Sequence, residues 1–120
     1  MLKKLLLLAA IGYTLALAVV SLINLHGVPD LGSSFDDKIY HIVAYFMLAA
    51  IWVYYFRPLK GKYMALFILI AAVVFGFILE VLQYVLNPNR TYDTADILAN
   101  TIGACLGTFI GAKLKLFRLN

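Results

Sequence analysis

Charge is scarce in this chain of 120 residues: Asp, Glu, Lys and Arg together make up 13% of it, while 64% is hydrophobic. That balance excludes a soluble domain, whose apolar share is about half. There is one cysteine, Cys105, so no intramolecular disulfide can staple the fold. Lying inside the last apolar run, it reads as a small buried hydrophobe. A basic tract is lacking too. The net charge of +4 comes from Lys and Arg spread along the chain, not gathered on a face that could follow phosphates, and this excludes nucleic acid as a partner. Internal repeats and low-complexity segments are also missing, and the length leaves room for a single domain over 1–120.

What is present is a set of long apolar runs between short polar breaks, the pattern of a chain whose solvent is the bilayer. The breaks predict four membrane-spanning helices, at about 5–25, 38–56, 63–86 and 94–116. The first run follows Lys3 and Lys4 and imitates a signal peptide. Its Ala16-Leu17-Ala18 triplet, however, sits inside the apolar stretch with Val19 and Val20 directly after it, so cleavage is not expected. Between the second and third runs, Arg57-Pro58-Leu59-Lys60-Gly61-Lys62 is a tight turn that forces an antiparallel hairpin. The fold class is therefore all-α, a four-helix transmembrane bundle. Lys3, Lys4, Arg57, Lys60, Lys62, Lys113, Lys115 and Arg118 fall on one side of it, and only Lys38 and Arg90 on the other. The positive-inside rule then makes both termini cytoplasmic.

All six acids, Asp30, Asp36, Asp37, Glu80, Asp93 and Asp96, map to the opposite, outward half, as do His26 and His41. Ionisable groups at membrane depth are costly and ordinarily have partners or a function. Asp37, His41 and Tyr45 recur every four residues and line one stripe of the second helix. The third helix brings Glu80, Gln83 and Tyr84; the fourth brings Asp93, Asp96 and Asn100, continued by Gly103, Gly107 and Gly111 at the spacing that lets helices approach closely. A rise of about 1.5 Å per residue puts Glu80 and Asn100 roughly 10 Å inside their helix ends, and His41, Gln83 and Asp96 about 5 to 6 Å. Helix capping accounts for part of the roles of Asp93 and Asp37. Asp30, Asp36 and His26, near Pro29 and Gly32, are expected to be solvated loop residues.

The spacing Asp37-Lys38-x-x-His41-x-x-x-Tyr45, then Glu80-x-x-Gln83, then Arg90-x-x-Asp93-x-x-Asp96-x-x-x-Asn100-x-x-Gly103 resembles the VanZ-like family of bacterial membrane proteins. The resemblance runs from residue 37 to about 107 and leaves the first helix without a signature. It implies a multi-pass protein of the bacterial cytoplasmic membrane, in a family named for a factor linked to resistance to the glycopeptide teicoplanin. It does not imply a particular chemistry.

Three functions fit these residues. In the first, a small hydrolase or transferase acts at the outer leaflet on a lipid-linked envelope substrate. His41 or Glu80 is then the general base, Asp96 an orienting group or metal ligand, and Arg90 with Lys38 the holder of an anionic head group. Asp37, Tyr45, Gln83, Asp93 and Asn100 complete its binding residues. No Ser or Cys stands beside the cluster, so attack would come from water. In the second, the same pocket binds a lipoglycopeptide or cell-wall precursor without turnover. In the third, the polar groups lock the bundle. A cofactor, a metal and an oligomeric state are not specified by the residues. A proton-coupled transporter is disfavoured, because the cytoplasmic half offers no ionisable relay.

Overall fold

A computed structural model describes residues 1–22, 34–56, 63–86 and 94–113. They form α1 (Leu2–Leu22), α2 (Ser34–Phe56), α3 (Met64–Leu86) and α4 (Thr94–Lys113), with no strand among the described residues. All four are long and apolar enough to cross a membrane. At about 1.5 Å per residue, helices of 20 to 23 residues match a hydrocarbon core of roughly 30 Å. The expected ends near 25 and 116 lie outside the described residues.

α2 begins at Ser34, a turn earlier than position 38. Asp36, expected in the loop, and Asp37 then both fall in its first turn. That extra turn sets His41 deeper than its place in the apolar run implies.

The closest pair is α2 and α4, which run parallel because α3 lies between them in sequence and returns the chain. A Cβ placed on Gly103 would overlap the carbonyl oxygen of Ile42, one on Gly107 that of Phe46, and one on Gly111 would stand 2.9 Å from that of Ala50. Each step of four residues on α4 thus meets a step of four on α2, backbone against backbone. Small residues at this spacing are what such contact requires, since lipid tails give apolar side chains little reason to prefer protein over membrane.

α3 packs on both, through a face of Ala72, Gly76, Glu80 and Gln83. α1 rests against α2 and α3 with only Ala10 buried. Polar bonds hold it there: the Tyr13 hydroxyl donates to the Ala44 carbonyl at 2.5 Å, and the Trp52 indole N–H donates to Thr14 Oγ1 at 2.9 Å. Thr14 in turn donates to Ala10 O within its own helix at 2.8 Å. Lys3 Nζ lies 5.4 Å from the centre of the Tyr55 ring, so the start of α1 and the end of α2 share one end of the bundle. Cys105, expected to be buried, is exposed: it precedes Gly107 by two residues and so points away from the packed stripe toward lipid.

Candidate functional site

The cluster forms where the first turns of α2 and α4 meet the last turns of α3. Four polar side chains there are buried among apolar helices: Glu80 at 2% exposure, Asp96 at 1%, Asn100 at 3% and Gln83 at 8%. Burying such groups is tolerated only when each is hydrogen-bonded or paired.

Asp96, in the first turn of α4, accepts a charged hydrogen bond from Lys38 Nζ through Oδ1. Its other oxygen, Oδ2, faces His41 Nε2 at 3.7 Å. His41 Nδ1 is 2.7 Å from Asn100 Oδ1. An amide oxygen can only accept, so Nδ1 carries the proton in this contact. Lys38, Asp96, His41 and Asn100 thus follow one another in a row across the α2–α4 seam, hydrogen-bonded at its two ends and in close approach between Asp96 and His41. Its ammonium end is the more open, with 24% of the Lys38 side chain exposed against 17% for His41 and 1% for Asp96.

The structure joins two heights that helical counting held apart. With α2 starting at Ser34, His41 is seven residues from its helix start and Asn100 six from that of α4, each on the order of 10 Å deep. One imidazole consequently spans from the Asp96 layer to the Asn100 layer.

α3 closes the cluster from the third side. A Cβ on Gly76 would stand 3.0 Å from both Asn100 Nδ2 and Tyr45 Cε2, so the missing side chain leaves room for the amide and the phenol ring to lie over this helix. Tyr45 is 2% exposed, tilts against Phe75 with ring centres 6.4 Å apart, and is close enough to Glu80 for the two groups to interact electrostatically. Gln83 donates from Nε2 to the Ser21 carbonyl, tying the third helix to the first. Tyr84 faces outward and takes no part in the buried face.

His41, Asp96, Asn100 and Lys38 are thus brought into direct contact, and Glu80, Tyr45 and Gln83 line the same end of the bundle. Lys38 is engaged by Asp96 at the more open end of the cluster. Asp37 is on α2 with its side chain outside the described set; Arg90 and Asp93, like His26 and Asp30, lie outside the described residues. Among the described residues no three His, Cys, Asp or Glu side chains converge as a metal-ion ligand set. Gly76 and Ser21 were not singled out from sequence. Gly76 is signalled by its position one turn before Glu80. The docking of α1 is signalled by Ala10, Tyr13, Thr14, Leu17 and Ser21, which share one helical face.

Four spans with a largely buried polar cluster among them define a multi-pass α-helical membrane protein whose partner is the lipid bilayer. The VanZ/LLP1 family model matches residues 5–117, and the chain belongs to that family, one linked to glycopeptide resistance. The match takes in α1, which carries none of the polar motif. No curated protein and no solved structure matches the chain.

Proposed function

We propose that the cluster is an acid–base site, open to the outer face of the bacterial cytoplasmic membrane, that acts by water attack on a lipid-linked envelope substrate. The observation that carries this reading is the placement of His41. Its Nδ1 is fixed by Asn100, its Nε2 faces a carboxylate 3.7 Å away, and it is less buried than the acids beside it. An imidazole so held keeps Nδ1 as donor to Asn100 and directs Nε2 to the proton transfer. Nε2 takes a proton from water, and the imidazolium that forms is stabilised by Asp96, whose far oxygen Lys38 already orients. Glu80, buried beside Tyr45, is the second acid. An anionic head group falls to Arg90 together with Lys38. The outward orientation, with cytoplasmic termini, rests on the eight-against-two distribution of Lys and Arg, and a single domain over 1–120 accommodates all of it.

The alternative is a factor that binds a lipoglycopeptide such as teicoplanin, or a cell-wall precursor, without converting it. It is favoured by the lack of a Ser or Cys nucleophile within the described cluster. Purified protein in nanodiscs, supplied with a radiolabelled polyprenyl-linked cell-wall precursor, separates the two. Turnover that falls about 100-fold or more in His41→Ala, and less in Asn100→Leu, is the expected result. Retention of the probe without product, sensitive to His41→Ala, transfers the site to the binding reading. If wild-type protein neither retains nor converts precursor or teicoplanin, both readings fail.

A further inference from the structure

Away from the polar cluster, at the basic end of the bundle, α1, α2 and α3 enclose a half-open cavity of about 220 Å³. Thr14 forms its α1 wall, Leu48, Trp52 and Phe56 its α2 wall, and Ile68 and Phe75 bound it on α3. Leu48 to Phe56 is eight residues, so the cavity is a slot on the order of 12 Å long, parallel to the helices and hence to lipid chains. The only polar atoms of Thr14 and Trp52 that could interrupt the lining, the hydroxyl and the indole N–H, are bonded to each other. Ala71, also on the wall, is exposed, which places the mouth at the bundle's lipid-facing surface.

The lower end of the slot leads to positive charge. Phe56 stacks on Trp52 with ring centres 5.8 Å apart, Tyr55 meets Phe56 edge-on at 5.0 Å, and Lys3 Nζ lies 5.4 Å from the Tyr55 ring. Lys4 follows on the same turn and is exposed. An apolar slot of acyl width, aligned with the membrane normal and ending at two lysines at the interface, matches a molecule with a chain and an anionic head in that order. We propose that it binds one acyl chain of an anionic glycerophospholipid, whose phosphate is held by Lys3 and Lys4. This site is separate from the polar cluster and does not depend on what that cluster does.

Each lysine near the surface favours an anionic lipid about fivefold, so the pair gives a preference of roughly ten- to thirtyfold. Native mass spectrometry of the detergent-purified chain, titrated with phosphatidylglycerol or phosphatidylcholine of matched chains, reads it directly. The wild type is expected to hold one phosphatidylglycerol with that preference. In Lys3→Gln/Lys4→Gln the preference collapses while phosphatidylcholine binding is unchanged. In Ala71→Phe, which fills the slot from its exposed mouth and keeps the helical circular-dichroism spectrum, both lipids are lost. Equal retention of both lipids by the wild type would mean ordinary annular lipid and overturn the proposal. Undiminished phosphatidylglycerol binding by Ala71→Phe overturns it too, since the head group alone would then suffice.

Discussion

Replacing Gly107 by alanine sets a new methyl group against the Phe46 carbonyl oxygen, which belongs to a helix backbone and cannot swing aside. To restore van der Waals contact, α2 and α4 must separate locally by roughly an ångström, loosening packing above and below. Overpacking of this kind costs about 1–3 kcal/mol. Alanine is also the better helix former by about 1 kcal/mol, which offsets part of the loss. The net expectation for Gly107→Ala is about 0–2 kcal/mol of destabilisation, and about 1–3 kcal/mol relative to a glycine whose added Cβ meets nothing. Gly103→Ala, which meets the Ile42 carbonyl, should match it, and Gly111→Ala, with its nearest atom at 2.9 Å, should be milder. Gly12 is the control, because nothing lies within 4 Å of its added Cβ. There the propensity term acts alone, and Gly12→Ala should be neutral or stabilising by up to about 1 kcal/mol. Equilibrium unfolding in mixed micelles, followed by far-ultraviolet circular dichroism, measures all four. Gly107→Ala as stable as Gly12→Ala would refute the close contact of α2 and α4.

Lys38→Met removes the lysine from an Asp96 carboxylate that is 1% exposed. Breaking a buried pair costs about 3–5 kcal/mol, and partial exposure of the Lys38 side chain lowers the expectation to about 2–3 kcal/mol. The double variant Lys38→Met/Asp96→Leu should recover most of this loss, whereas additive single effects would contradict the pairing. Tyr13→Phe and Trp52→Phe each delete one polar bond of α1 and should cost about 0.6 to 1.7 kcal/mol, typical of hydrogen bonds between membrane helices. Together they should raise amide exchange in α1 well before α4, as hydrogen–deuterium exchange mass spectrometry would show; uniform protection would argue against α1 as the separable helix.

The spans were legible because hydrophobic runs of this length have one solution in lipid, and the glycine stripe because a four-residue recurrence of glycine has a direct geometric meaning. The membership of His41, Asp96 and Asn100 in one cluster was legible for the same reason, since helical periodicity fixes faces. Their pairing was not. Periodicity gives heights only relative to a helix start, and α2 starts a turn above the expected position 38, which moves His41 from the layer of Gln83 to that of Asn100. The fate of Lys38 was hidden as well. A long side chain reaches several partners, and which one it takes depends on the distance between α2 and α4, which Gly103 sets. The role of α1 went unread because its contacts to Ala44 and from Gln83 involve backbone carbonyls, which every sequence has at every position.

The glycine seam between α2 and α4 repeats every four residues, and a repeat cannot tell one alignment from the next. If α4 slid along α2 by one turn, about 6 Å, Gly107 would meet Ile42 and Gly111 would meet Phe46, with only the end of the row left unmatched. Tight fit alone would leave such a pair of helices able to settle in the wrong place. The polar chain has no such periodicity: one turn of slip carries Asp96 away from Lys38 and Asn100 away from His41, and leaves His41 facing apolar side chains. The buried groups are thus the alignment key of a zipper whose teeth are identical, and a protein stripped of them is expected to assemble in more than one register.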